Sequence, residues 1–230
     1  MNQPPASTRA SPGEIDARPD AATRAPAVPA KRGRLIFALD ATMSRQPTWD
    51  MAQGLQAQMF ASAAALGGLD VQLVYFRGLG ECRASSFVSG GAGLAALMSK
   101  IDVRGGNTQI GKVLRHAREE ARQTRVGALV FVGDAMEERV DELCALAGEL
   151  GLLGVKCFMF HEGADRAAAT AFQEIARLSG GAYAAFDANA ANRLAALLAA
   201  AAAYAAGGRA GLAKLAQRDG EARKLNAQMR

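Results

Sequence analysis

Leu35-Ile36-Phe37-Ala38-Leu39-Asp40-Ala41-Thr42-Met43-Ser44 is the stretch that decides the fold. An unbroken apolar run has no polar face, so residues 34–40 read as a strand buried on both sides. The strand ends on a carboxylate, and the loop after it carries hydroxyls at Thr42 and Ser44. One charged and two neutral oxygens beyond the carboxyl end of a buried strand suit a hard cation. Pro47 then opens a helical pattern that runs to about Leu66, where Gly67-Gly68 stops it.

Alternation continues along the chain. Residues 70–76 and 81–87 read as strands joined by Arg77-Gly78-Leu79-Gly80, a short glycine-containing link that predicts an antiparallel pair. Helices are expected over 93–101, 108–123, 137–152 and 166–178. Buried strands are expected over 126–132 and 155–160, with a short edge strand over 182–186. An alanine-rich helix over 189–206 is expected to end at Gly207-Gly208. Strands buried on both faces and separated by helices predict a doubly wound, Rossmann-like α/β fold. Its six-stranded sheet is mostly parallel with one antiparallel edge strand, and helices cover both faces.

Composition sets the limits. Of 230 residues, 50% are hydrophobic, enough for one domain with a sizeable core. Residues 1–33 are rich in Pro, Ala and Arg with no hydrophobic period and read as a disordered leader. Residues 34–206 form the expected domain, and 207–230 read as a basic, weakly helical tail. The net charge of +5 belongs to the ends: five Arg/Lys against three Asp/Glu in 1–33, and six against two in 207–230. The basic ends are expected to be solvated, and nucleic acid is not the expected partner. Cys82, Cys144 and Cys157 are odd in number with no CxxC pair, so no disulfide framework is expected. No signal-type apolar region stands at the start, and the run Leu194–Ala206 is too short to span a bilayer. A cytoplasmic location is the resulting expectation.

Two later segments complete the oxygen set. Gly105-Gly106-Asn107-Thr108 leads into a helix, and Val130-Phe131-Val132-Gly133-Asp134 is another buried strand ending in an aspartate. Together, Asp40, Thr42, Ser44, Thr108 and Asp134 resemble the metal-ion-dependent adhesion site of von Willebrand factor type A (VWA) domains. That site has an Asp-x-Ser-x-Ser loop, a distant Thr in a Gly-rich loop and a distant Asp after a strand. Ile175-Ala176-Arg177-Leu178-Ser179-Gly180-Gly181-Ala182-Tyr183 also looks like the end of that domain. The resemblance implies Mg²⁺ or Mn²⁺ held by these five residues, no catalytic residue, and a protein partner whose Asp or Glu completes the metal shell. Thr42 replaces a Ser, keeping the hydroxyl. Ala135 stands where the family often has Gly.

Other readings of the same residues exist. Asp40, Ser44 and Thr108 are each also good helix caps. Gly105-Gly106 could hold a phosphate but lacks the Gly-Lys-Ser/Thr ending. A phosphotransferase of haloacid-dehalogenase type would use Asp40 as nucleophile with Thr108, Lys112, Asp134 and Glu138. The second carboxylate such enzymes need in the first loop is absent, with Thr42 in its place. Lys112, Arg115, Arg118 and Arg122 form a basic stripe that reads as a solvated face. His116 is expected to face solvent, Trp49 to pack in the core, and Cys157 to be a buried thiol.

Overall fold

The structure, a computed structural model, describes residues 32–42, 46–187 and 190–229. In chain order the elements are β1 (Gly33–Asp40), α1 (Gln46–Ala64), β2 (Leu69–Arg77), β3 (Glu81–Val88), α2 (Gly91–Met98), α3 (Ile110–Gln123) and β4 (Ala128–Gly133). They continue with α4 (Val140–Leu152), β5 (Lys156–Glu162), α5 (Arg166–Ser179), β6 (Ala182–Phe186), α6 (Ala191–Ala216) and α7 (Gly220–Gln228). The expected leader, apart from Arg32 and Gly33, lies outside the described residues, as does Ser44.

The sheet has six strands in the order β3-β2-β1-β4-β5-β6. Every pairing is parallel except β2 with β3, the hairpin expected from its glycine-rich link. β1 is central because both its faces are apolar. Leu35, Phe37 and Leu39 face the layer of α1, α2 and α6, while Ile36 and Ala38 face α3, α4 and α5. All five are at most 1% exposed. Trp49 and Cys157 are buried as expected, and burial pushes the Cys157 thiol up to about 12.

Two local expectations change. His116 is half-buried, not solvent-facing. It sits 2.9 Å from Gln72 Oε1, and burial lowers its pKa. The basic stripe of α3 is a solvated face as expected, with Lys112 donating to the Gly80 carbonyl and Arg118 and Arg122 pairing with Glu119 and Glu149.

The second concerns the C-terminal region. Gly207-Gly208 breaks the alanine-rich helix as expected: Gly208 takes φ 61°, ψ −157°, and a separate helical segment follows to Ala216. What differs is the packing of the tail. Beyond Ala216, Asp219 caps α7 by accepting from the Ala222 N–H at 2.7 Å. Leu212, Ala222, Leu225 and Met229 enter the same core layer as Leu35 and Phe37. By length and composition α6 is apolar enough to cross a membrane, yet half of its most apolar window is buried inside the fold.

Candidate metal centre

β1 and β4 are neighbours, with Leu39 opposite Val132 as their last pair. Asp40 ends β1, and Asp134 follows directly on the end of β4. The sheet grows outward to β2 on one side of this pair and to β5 on the other, so strand order reverses here. Adjacent strands lie about 4.8 Å apart, and both aspartates therefore stand over one crevice at a topological switch point. Asp40 is 2% exposed and Asp134 half-buried. A carboxylate so deeply placed needs hydrogen bonds or a counter-charge. Asp40 Oδ1 accepts the Thr42 N–H at 2.8 Å, a tight turn that keeps Thr42 close to its carboxylate.

Thr108 comes from the loop between α2 and α3. The Arg104 N–H donates to the Ala41 carbonyl at 2.9 Å, tying this loop to the one after β1. The Asn107 N–H donates to the Gly78 carbonyl at 3.3 Å, tying it to the hairpin. Gly106 permits that approach: a Cβ there would lie 2.3 Å from the Gly78 backbone nitrogen and oxygen. Thr108 does not cap α3. Its hydroxyl donates to Glu137 Oε2 at 2.5 Å, its N–H donates to the same oxygen at 3.1 Å, and the Glu137 N–H donates to the Thr108 hydroxyl at 3.3 Å.

Capping of α3 falls to Glu138, whose carboxylate accepts from the N–H groups of Ile110 and Gly111. An anion at a helix N-terminus is favourable. Burial nevertheless raises the Glu138 pKa, against the pull of those backbone bonds and of Arg115. The loop after β4 thus carries adjacent acids with separate tasks: Glu137 holds Thr108, and Glu138 holds the helix that follows it.

His161, at the end of β5, lies opposite Gly133 and is 1% exposed. Its Nε2 is 3.3 Å from the Asp134 carbonyl and its Nδ1 3.1 Å from the Tyr183 hydroxyl. A carbonyl only accepts, so Nε2 is the donor, and in the neutral ring Nδ1 accepts from Tyr183. Next to it, the buried Glu162 carboxylate accepts from the Thr48 hydroxyl in the first turn of α1. Sequence reasoning gave Glu137, His161 and Glu162 no part in this edge. The only sequence signal for the last two is a polar pair ending an otherwise apolar strand.

Asp40, Thr42, Thr108 and Asp134 are therefore brought to one edge by loops that hydrogen bonds join. Their donors are all oxygen, the preference of a hard cation. Among the described residues no group of three or more His, Cys, Asp or Glu has metal-holding geometry. Three of these residues are at least nine-tenths buried: Asp40, Thr42 and Thr108. Such residue types suit a hard divalent cation.

Neither a scan of the sequence against protein-family models nor a search of curated proteins finds a match. Solved structures do match. An aerotolerance-related membrane protein from Bacteroides fragilis superposes with a TM-score of 0.56 at 19% identity, covering 74% of this chain and 98% of that one. The SpRpn10 VWA domain matches with a TM-score of 0.56 at 13% identity over 69% of this chain and 90% of that domain. The chain has the von Willebrand factor type A fold. Another VWA-fold neighbour is proximal thread matrix protein 1 of the mussel byssus, with a zinc-occupied MIDAS motif. It superposes with a TM-score of 0.58 at 14% identity, over 75% of this chain and 46% of that one. Such identities carry the fold and no more. The VWA fold places the carboxyl ends of β1 and β4, with Asp40 and Asp134, at the centre of one sheet edge.

Proposed function

We propose that this protein is a metal-dependent protein-binding module. Asp40, Thr42, Ser44, Thr108 and Asp134 would hold Mg²⁺ or Mn²⁺, and an Asp or Glu of a partner protein would complete the shell. The observation that carries this reading is the meeting of Asp40 and Asp134 over the β1–β4 switch point, with the Thr108 loop tied to the loops on either side. Two aspartates just balance the charge of a divalent cation and the neutral hydroxyls add none, so the site is not over-neutralised and an open coordination position can accept an incoming carboxylate. The chain's own residues do the remaining work. Asp40 and Asp134 supply the charge, Thr42 and Thr108 supply oxygen without charge, and Glu137 orients the Thr108 hydroxyl.

No catalytic step is proposed. Lys112 and Glu138, which a phosphotransferase would need at the reacting group, are engaged with the Gly80 carbonyl and the α3 N-terminus. A cytoplasmic location remains part of the proposal, supported by three free thiols.

Calorimetry with Mg²⁺ and Mn²⁺ tests the reading directly. One site is expected in the wild type and none in Asp40→Ala or Asp134→Ala. Equal binding in all three proteins would remove these residues from the site.

A further inference from the structure

The amino edge of the sheet, at the other end of the same strands, carries a second candidate surface. A cavity of about 570 Å³ opens there, with Arg32, Arg34, Asp70, Arg125, Gly154 and Tyr204 in its wall. That volume suits a small ligand or a headgroup. Arg32 pairs with Asp70 at 2.7 Å. Arg34 donates to the Thr124 hydroxyl and lies over the Phe87 ring. Arg125 has no carboxylate partner among the described residues. α3, α4 and the first segment of α6 end at this edge, and each helix C-terminus contributes about half a negative charge. Set against these ends and Asp70, the three arginines leave an excess of about half a positive charge, carried chiefly by Arg125.

Leu152 and Leu153 directly precede Gly154 in the cavity wall, and they are 91% and 41% exposed. They are the only adjacent pair among the exposed large hydrophobics of the described residues. Exposed leucines next in sequence to a wall that carries arginines have the chemistry of a membrane-surface contact. Apolar side chains enter the interface, and arginine N–H groups take phosphate oxygens.

We propose that this edge docks on a bilayer surface containing anionic phospholipid. Arg34 and Arg125 take the phosphate, and Leu152 and Leu153 enter the boundary between headgroups and acyl chains. Because β1 and β4 run from this edge to the other, docking leaves Asp40 and Asp134 facing away from the bilayer, open to a protein partner.

Sedimentation of the full chain with vesicles tests this. One set is phosphatidylcholine alone, the other phosphatidylcholine mixed with phosphatidylglycerol. Binding is expected to the mixed vesicles only and to weaken with salt. Arg125→Gln should lower it about fivefold, and Leu152→Ser about tenfold. Both side chains are exposed, so both variants should keep the wild-type melting temperature. Absence of vesicle binding, equal binding to both vesicle types, or binding unaltered in both variants would overturn the proposal. Calorimetric binding of inorganic phosphate by a chain that ignores vesicles would also overturn it, making the cavity a site for a free phosphate compound.

Discussion

Thr108 and Glu137 hold each other across two loops: the threonine hydroxyl and N–H both donate to one carboxylate oxygen, and the Glu137 N–H donates back to the hydroxyl. With its proton committed to Glu137 and one lone pair accepting the Glu137 N–H, the Thr108 oxygen keeps one lone pair to offer a cation. Outer carboxylates of this kind typically change metal affinity by about 10–100-fold. Glu137→Ala should therefore weaken Mg²⁺ binding within that range while leaving the melting temperature nearly unchanged. Wild-type metal binding that survives intact in Glu137→Ala would confine the glutamate to loop structure. Loss of binding in the wild type itself would instead defeat the metal reading.

Gly106→Ala should disturb the same site from a distance. The new methyl would meet the Gly78 backbone, which has no flexible end to move aside. The Thr108 loop must then lift off the hairpin. Calorimetry should show weakened metal binding, with a cooperative melt retained, because the sheet core does not depend on that contact.

The C-terminal helices should be required for full stability. Leu225 is 1% exposed and Leu212 is fully buried in the core layer. Leu225→Ala should cost about 2–5 kcal/mol in a denaturant titration, the usual range for a buried leucine. A chain ending at Gly208 should melt well below the full-length protein. Equal melting temperatures would show that α7 adds nothing to the fold.

Acid should loosen the hairpin before the core. Hydrogen bonds from Arg77 draw the Glu81 carboxyl from its ordinary 4.5 down to about 2, with Arg83 assisting. A depressed folded pKa means that this contribution is present above pH 4.5 and is lost as pH falls toward 2. The group is partly exposed to solvent, so the effect should be small and salt-sensitive. Comparing the melting of wild type and Glu81→Gln across this range should show a difference near neutral pH that vanishes at the acid end.

Much of this architecture is legible in the sequence because burial writes itself into composition. A strand covered on both faces must be apolar at successive positions, as Leu35–Leu39 and Ala128–Val132 are. A two-glycine link between strands must turn tightly, as Gly78 and Gly80 do. The residues after Gly208 show the limit. Leu212, Leu225 and Met229 lie among charged side chains, so their apolar spacing did not stand out until the core received them.

The sequence by itself determined which chemistry is available: aspartates after two buried strands, hydroxyls in the loop after the first, and a threonine behind paired glycines. Tertiary structure alone decided that β1 and β4 are neighbours, since strand order depends on which apolar faces find each other and not on chain order. It also decided that Thr108 faces Glu137 while Glu138 caps α3. Each of these side chains offers a hydrogen bond that several partners could satisfy, and the fold selects the partner by bringing two distant loops within about 3 Å.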